Sequence, residues 1–280
     1  MAQQVQPQQS RTVSQVLLLV LGALVIVATY VYLVLARPAE AGEGAGAGPG
    51  SLIALGGYLI GSALIISGAM RNLTTMTLAL IPVGIAINIV VGQVNTVLGG
   101  PLYLDSIGTV AVGVLAGPAA GAATGALSNV IWGLTINPPL MPFAVTAAEI
   151  GLLAGLFARL GAFRRPWWPP LVGLLVGVVS AIISAPISAF VFGAVDVSAG
   201  RSAITAAFLA YGASLLGAST LQGFLSDPAD KMVTFFVVYL ILVALPSRFR
   251  YRFPFVQRHR VFGKRKARAT PTTEERSEAQ

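Results

Sequence analysis

Residues 101–133, PLYLDSIGTVAVGVLAGPAAGAATGALSNVIWG, decide the fold class. The stretch is almost wholly apolar, and glycine recurs at every fourth position through its centre: Gly113, Gly117, Gly121 and Gly125. The dipeptide Gly117-Pro118 interrupts it, because glycine readily ends one helix in the left-handed conformation and proline suits the first turn of the next. We therefore predict two helices, 104–117 and 118–135, joined by a tight turn. One kinked helix is the alternative.

The composition of the whole chain agrees with a membrane location. Of its 280 residues, 55% are hydrophobic and only 10% are charged, and the mean hydropathy is +0.80. A soluble domain of this length carries about 25% charged residues. Most of the chain is therefore expected to lie in a lipid bilayer as α-helices.

Apolar segments recur along nearly the whole chain. They cover 13–36, 51–70, 74–98, 104–117, 118–135, 142–162, 168–194, 203–225 and 230–247. Residues 1–12 are Gln-rich and predicted to be disordered, and a polar linker occupies 37–50. The alternative for the first segment is a signal peptide cleaved near Ala39-Glu40-Ala41, but its apolar run is longer than such peptides usually have.

The positive charges predict the orientation. Ten of the eighteen Lys and Arg residues follow Pro246, and others lie between Arg159 and Arg165. Both groups are expected on the cytoplasmic side. This requires that 203–225 does not cross, which gives eight crossings of the cell membrane with both termini cytoplasmic. The basic tail, 248–280, fits anionic lipid rather than nucleic acid.

Several kinds of chemistry are excluded by residue content. The chain has no cysteine, so it has no disulfide, thiol nucleophile or thiolate metal site. Its one histidine, His259, lies in the basic tail, and no phosphate-binding GxxxxGK[ST] loop is present. We therefore predict no metal, no cofactor and no catalytic residues.

Polar side chains within the predicted spans collect towards the outer side of the membrane. Ionisable groups inside spans cost several kcal/mol unless they are paired or face water, so they indicate functional sites. We predict a ligand pocket open to the exterior. Its candidate residues are Gln93, Asn95, Asp105, Asn129, Trp132, Asn137 and Glu149.

The acidic residues differ in how well helix capping explains them. Asp105 begins a span and has a capping role as its alternative. The same alternative is stronger for Asp227 and Asp230, which are predicted to open the last span with Lys231 as an ion-pair partner. Glu149 lies about 10 Å inside its span, too deep for a cap, so it is the strongest candidate. Two buried acids favour a cationic or donor-rich ligand.

The remaining small and polar residues favour helix packing. Glycines spaced by four let helices approach closely in lipid, so Gly117, Pro118, Gly121 and Gly125 are predicted packing residues. A sliding contact with another membrane subunit is the alternative. Interhelical hydrogen bonding is the expected role of Asn88, Ser184 and Ser188. An interfacial aromatic position is the alternative for Trp132.

Three runs together resemble a known family. They are residues 101–133, PFAVTAAEIGLLAGLFARLGAF at 142–163, and DPADKMVTFFVVYLILVALPSRF at 227–249. The chain resembles the substrate-binding S components of energy-coupling factor (ECF) transporters over roughly 73–250. The resemblance implies an all-α integral membrane protein: a six-helix domain, 73–247, preceded by two additional transmembrane helices within 13–72.

The resemblance also implies a function and partners. Such a protein captures a vitamin-like small molecule from outside and works with a transmembrane coupling protein and two cytoplasmic ATPases. Family members dock through an Ala-xxx-Ala face on the first helix of the domain. Here Ala79 is followed four residues later by Val83, and the nearest small pair is Pro82 and Ala86. We predict Ala79, Pro82 and Ala86 as the docking residues.

Three other functions compete with transport by an S component. A membrane ligand sensor would use the same pocket, but the sequence shows only a short basic tail as a cytoplasmic output. A membrane enzyme would use Asp105 and Glu149 as an acid–base pair, without any accompanying nucleophile. An ion-coupled carrier is the third.

Overall fold

The structure is a computed structural model that describes residues 13–37, 48–70 and 73–263, and this part of the chain is all-helical. The predicted disordered N-terminus, most of the 37–50 linker and the end of the basic tail lie outside the described residues. The α-helices are α1 Val13–Ala36, α2 Pro49–Met70, α3 Thr75–Leu98, α4 Ile107–Ala116, α5 Pro118–Thr135, α6 Ala144–Leu160, α7 Trp168–Phe192, α8 Ala199–Ala210, α9 Leu215–Ala244, α10 Ser247–Arg250 and α11 Pro254–His259. Two short 3₁₀ helices cover Pro138–Phe143 and Ala162–Arg164.

Five helical segments of the described chain are long and apolar enough to span a membrane, judged by length and composition. They are Val13–Ala36, Pro49–Gly68, Thr75–Leu98, Pro138–Leu160 and Trp168–Phe192. Helix α4 is apolar but has only ten residues. These segments agree with the predicted all-α membrane class, and the arrangement of six helices after two stays a prediction.

The helices pack chiefly as antiparallel neighbours. Helix α7 lies along α9, α5 along α6, and α1 along α2, and the α1–α2 hairpin rests against α5, α6 and α7. The main core forms where α4, α6, α7 and α9 meet, around Val110, Val176 and Phe235. Part of the predicted tail joins this core, because Phe253, Val256 and Val261 are buried in it.

The chain breaks at the predicted dipeptide. Helix α4 ends at Ala116 and α5 begins at Pro118, so there are two helices rather than one kinked helix. Gly117 has φ 100° and ψ 175°, which is not the left-handed helical conformation but a region that essentially only glycine adopts. A Cβ there would also lie 2.9 Å from the ring of Phe255.

The prediction for 203–225 is wrong as a single element. Helix α8 ends at Ala210, Gly212 takes φ 86°, and α9 begins at Leu215 and continues for 30 residues. Ser214 caps α9, its hydroxyl accepting a hydrogen bond from the Gly217 N–H at 3.1 Å. The predicted last span is therefore only the second half of α9, which passes through Pro228 without ending.

Candidate ligand cavity

A cavity of about 70 Å³ lies at the end of the bundle where α4 and α6 begin and α7 ends. The opposite end holds the Gly117 turn. The wall is formed by α5 to α9 and the loop 99–106. Its polar members are Tyr103, Asp105, Ser106, Asn129, Thr146, Ser180, Ser184, Ser188, Asp196, Arg201, Ser219, Gln222, Asp227 and Lys231. Pockets for drug-sized ligands usually have about 300–1,000 Å³, so in this conformation the cavity admits only a small ligand.

Arg201 organises one side of the cavity. It is 5% exposed on α8, and its Nη2 donates to Asp227 Oδ1 at 2.7 Å and to Gln222 Oε1 at 3.3 Å. Its Nε lies 3.3 Å from Asp196 Oδ2. Burial by itself lowers the pKa of Arg201, but the neighbouring carboxylates, Asp227 foremost, raise it above its ordinary value. The guanidinium therefore stays charged.

Tyr103 covers this arginine. The guanidinium carbon lies 4.6 Å from the centre of the Tyr103 ring, a cation–π distance, and the phenol donates a hydrogen bond to Asp196. Burial first, and the Asp196 carboxylate second, raise the pKa of Tyr103 well above its ordinary value. The phenol therefore remains protonated and available as a donor.

Lys231 organises the other side of the cavity. Its Nζ lies 2.6 Å from Asp230 Oδ2 and 3.4 Å from Asp105 Oδ1, and it donates to Ser106 Oγ at 3.0 Å. Asp230 is fully buried, and its Oδ1 accepts the Leu104 N–H at 2.9 Å. Leu104 has φ 52°, a conformation uncommon for residues other than glycine. The predicted Lys231–Asp230 ion pair is confirmed.

The capping explanations for the aspartates are wrong. Asp227 and Asp230 lie in the middle of α9 and open no helix. Asp105 precedes α4, but the amide side chain of Asn88 caps that helix instead: its Oδ1 accepts the N–H groups of Gly108 at 2.7 Å and Thr109 at 3.2 Å. The aspartates are thus held by ion pairs rather than by helix ends.

Glu149 stands one hydrogen bond behind the cavity wall. The hydroxyl of Ser180, which lines the cavity, donates to Glu149 Oε2 at 2.8 Å. The other oxygen, Oε1, is buried with no hydrogen-bond partner among the described residues. Of the seven predicted pocket residues, Asp105 and Asn129 lie directly on the wall.

The other four predicted pocket residues lie outside the wall. The Trp132 indole donates to Gln93 Oε1 at 3.1 Å, and Trp132 is 1% exposed, so the interfacial alternative is wrong. The Asn95 amide donates to the carbonyls of Leu102 and Tyr103, which shapes the loop 99–106. Asn137 precedes the 3₁₀ helix, and its carbonyl accepts from the Leu140 N–H at 3.1 Å.

The residues assigned to packing lie between helices. A Cβ at Gly121 would overlap the Gly151 carbonyl of α6, and one at Gly125 would overlap the Ala147 carbonyl. Asn88 also donates to Thr109 Oγ1 at 2.7 Å and to Ser128 Oγ at 2.9 Å, which ties α3 to α4 and α5.

Two serines assigned to packing also face the cavity. Ser184 and Ser188 of α7 both lie on its wall. The Ser184 hydroxyl lies 3.3 Å from Asp227 Oδ2, which places it beside one of the ion pairs. The predicted interhelical hydrogen bond is confirmed for Ser184, which bonds from α7 to Asp227 of α9, and the position of both serines on the cavity wall was not predicted.

The predicted docking residues lie elsewhere. Ala79, Pro82 and Ala86 are exposed along the outer surface of α3, beside Val83, which is also exposed. They make no part of the cavity wall.

Sequence reasoning missed the role of Arg201 and gave Lys231 only a supporting one. A usable signal was present. These two are the only basic residues between Arg165 and Arg248, in an otherwise apolar region. A cation in an apolar region is expected to pair with a carboxylate. Arg201 and Lys231 each contact two carboxylates.

In the described part of the chain, no three His, Cys, Asp or Glu side chains are grouped so that they would hold a metal ion. Comparisons with protein families, curated proteins and solved structures found no match for this chain.

Proposed function

We propose that this chain is a membrane-embedded substrate-capture subunit of an ECF-type transporter, binding a small solute for uptake driven by partner ATPases. The observation that carries the proposal is the charged cavity within apolar helices. Burying Asp227, Asp230, Arg201 and Lys231 is costly, and a bundle held only by apolar packing needs none of them. Their convergence on a cavity supports a binding role.

The size of the cavity is consistent with a closed conformation. Two bonds join the loop 99–106 to the start of α8: Ser198 Oγ donates to the Gly100 carbonyl at 2.5 Å, and the Gly200 N–H donates to the Gly99 carbonyl at 3.0 Å. A vitamin-sized ligand enters when these bonds open. Exchange of solute then requires movement of a loop rather than of the whole bundle.

Two features support a partner-dependent transporter in particular. The sequence has no GxxxxGK[ST] loop, so energy from ATP has to come from other subunits. The exposed strip at Ala79, Pro82 and Ala86 offers small side chains to a second membrane protein. With the basic tail in the cytoplasm, the cavity end of the bundle faces outside.

A ligand sensor is the second candidate, favoured by how the C-terminal segment is held. Arg164 donates to the carbonyls of His259 and Arg260 at 3.1 Å each, and the Phe255 ring packs on Gly117. A shift of α4 or α6 on ligand binding would reach this segment directly. Its output would be a protein bound by the tail.

Purification of the tagged chain from cross-linked native membranes tests the transporter. We expect two ATPases and a membrane coupling protein to co-purify, and mass spectrometry to find a retained small molecule. The double variant Ala79→Leu/Ala86→Leu should lose the ATPases and keep the small molecule. Recovery of a signalling protein in place of ATPases would favour the sensor, and recovery of no partner and no ligand would overturn both.

A further inference from the structure

All the aspartates of the sequence and two of its basic residues lie together around the cavity. The sequence has four aspartates, Asp105, Asp196, Asp227 and Asp230, and all four contact Arg201 or Lys231 at the cavity. Four carboxylates against two cations leave a formal charge of −2. Glu149 is a further acidic group, joined to the cavity wall by the hydrogen bond from Ser180.

This excess is divided between two centres. Arg201 is shared by Asp227 and Asp196, at 2.7 and 3.3 Å, and Lys231 is shared by Asp230 and Asp105, at 2.6 and 3.4 Å. Each cation thus has one carboxylate more than it neutralises. Asp227 and Lys231 are four residues apart on α9, so the two centres are separated by about 6 Å along the helix.

Among the described residues, Arg201 and Lys231 are the cations on the cavity wall, and Arg37, over the Phe190 ring near the end of α7, is not on that wall. Between Arg165 and Arg248 the sequence has no basic residue besides Arg201 and Lys231, and between Arg71 and Arg159 it has none. An unpaired carboxylate shielded from water costs several kcal/mol. A positively charged ligand between the two centres would remove that cost.

Two hydroxyl groups independently indicate a ligand. Thr146 and Ser219 line the cavity and are 8% and 2% exposed, and neither hydroxyl has a hydrogen-bond partner among the described residues. Buried hydroxyls are normally paired. Each hydroxyl can accept an N–H group of a ligand and can also donate its own proton, and the buried Arg201 Nη1 likewise has no hydrogen-bond partner among the described residues. These groups mark a polar ligand at this wall, and the excess of carboxylates decides its charge.

An organic cation fits these groups better than a metal ion. The carboxylates are spread over two centres, each already occupied by a protonated side chain, and no three acidic or histidine side chains of the described chain are arranged to bind a metal. We propose that the ligand is a small organic cation carrying a protonated amine, placed between the Arg201 and Lys231 centres. This inference rests on the proposed capture function and adds the chemical class of the substrate.

The test uses the full chain in nanodiscs with three probes that share a carbon skeleton: butane-1,4-diamine, butane-1,4-diol and butanedioate. We expect the diamine to bind and to raise the unfolding temperature, and the diol and the diacid to do neither. Asp105→Asn should weaken diamine binding by at least about tenfold. Its side chain is the most exposed of the ion-paired aspartates, so this variant should fold even where Asp227→Asn does not.

Thr135→Ala is the matched control, because Thr135 is exposed and its hydroxyl bonds only within α5. Three results would overturn the proposal that the ligand is an organic cation. They are equal binding of all three probes, failure of the diamine to bind, and equal diamine affinity of Asp105→Asn and Thr135→Ala. A retained neutral or anionic molecule would overturn it too while leaving capture intact. Absence of any retained molecule, probe binding and ATPase partner would overturn the proposed function itself.

Discussion

The Arg201 guanidinium lies 2.7 Å from the Asp227 carboxylate and so joins the short helix α8 to the middle of α9. Both side chains are buried, with 6% and 8% of their surface exposed. A buried pair of this kind adds little net stability over apolar packing, but removing one member leaves the other charged and unpaired. The pair therefore ties α8 to α9 through one buried side chain of each helix.

Replacing Arg201 by Met should destabilise the protein strongly. The substitution leaves both Asp227 and Asp196 without a cation, and breaking such a buried pair costs about 3–5 kcal/mol. The free energy of unfolding, measured in detergent with increasing denaturant, checks this value. The matched control is Arg165→Met, because Arg165 is exposed. Equal unfolding free energies for the two variants would show that the Arg201 pair is not buried as described.

Replacing Asn88 by Leu should loosen the junction of α3, α4 and α5. Leucine has a similar size but leaves the Gly108 N–H without its acceptor, and each buried group left unpaired costs about 1–3 kcal/mol. Hydrogen exchange at the first turn of α4 should accelerate. Asn137→Ala is the control, since the Asn137 side chain makes no hydrogen bond within the described residues. Unchanged exchange in Asn88→Leu would contradict the capping role.

The helices of the apolar regions were largely predictable from the sequence. Helix α1 covers the predicted residues 13–36, and the break at Gly117-Pro118 falls where glycine and proline chemistry places it. The error at 203–225 has a physical cause. Proline and charged residues at 227–231 indicate a helix start, but tertiary ion pairs satisfy the charges inside α9.

The cavity was only partly predictable. Asp105 and Asn129 were predicted from their positions towards the outer ends of their spans, because polar groups at one end of a bundle tend to share a pocket. Glu149 was the strongest predicted pocket residue, and the structure places it behind Ser180. The contact of Asp105 with Lys231 joins residues 126 positions apart, and that of Arg201 with Asp227 joins two different helices, so local sequence patterns do not predict these pairs.

Replacing Gly125 by Ala should force α5 away from α6. A methyl group there overlaps the Ala147 carbonyl, which is backbone and cannot rotate aside. Overpacking of this kind costs about 1–3 kcal/mol. The unfolding temperature should fall.

Gly56→Ala is the matched control for this prediction. It is also helical, but a Cβ there meets nothing within 4 Å. Alanine is favoured over glycine within a helix by up to about 1 kcal/mol, so this variant should be neutral or slightly stabilised. Equal effects of the two substitutions would show that α5 and α6 are not in close contact.

Tyr103 should make the stability of the cavity region sensitive to alkaline pH. Its pKa is raised in the folded protein, so folding favours the protonated phenol. The stabilisation is complete below the pKa of an unfolded tyrosine, about 10, and is lost as the pH rises through the folded value. The stability of Tyr103→Phe relative to the wild type should therefore stay constant between about pH 7 and about pH 9, and Tyr103→Phe should gain on the wild type as the pH rises above about 10. Tyr211→Phe, which removes a phenol that is 91% exposed, controls for the loss of one tyrosine. Unfolding temperatures of the three proteins between about pH 7 and about pH 12 measure this difference, and a wild type that loses no stability relative to Tyr103→Phe above about pH 10 would contradict the raised pKa.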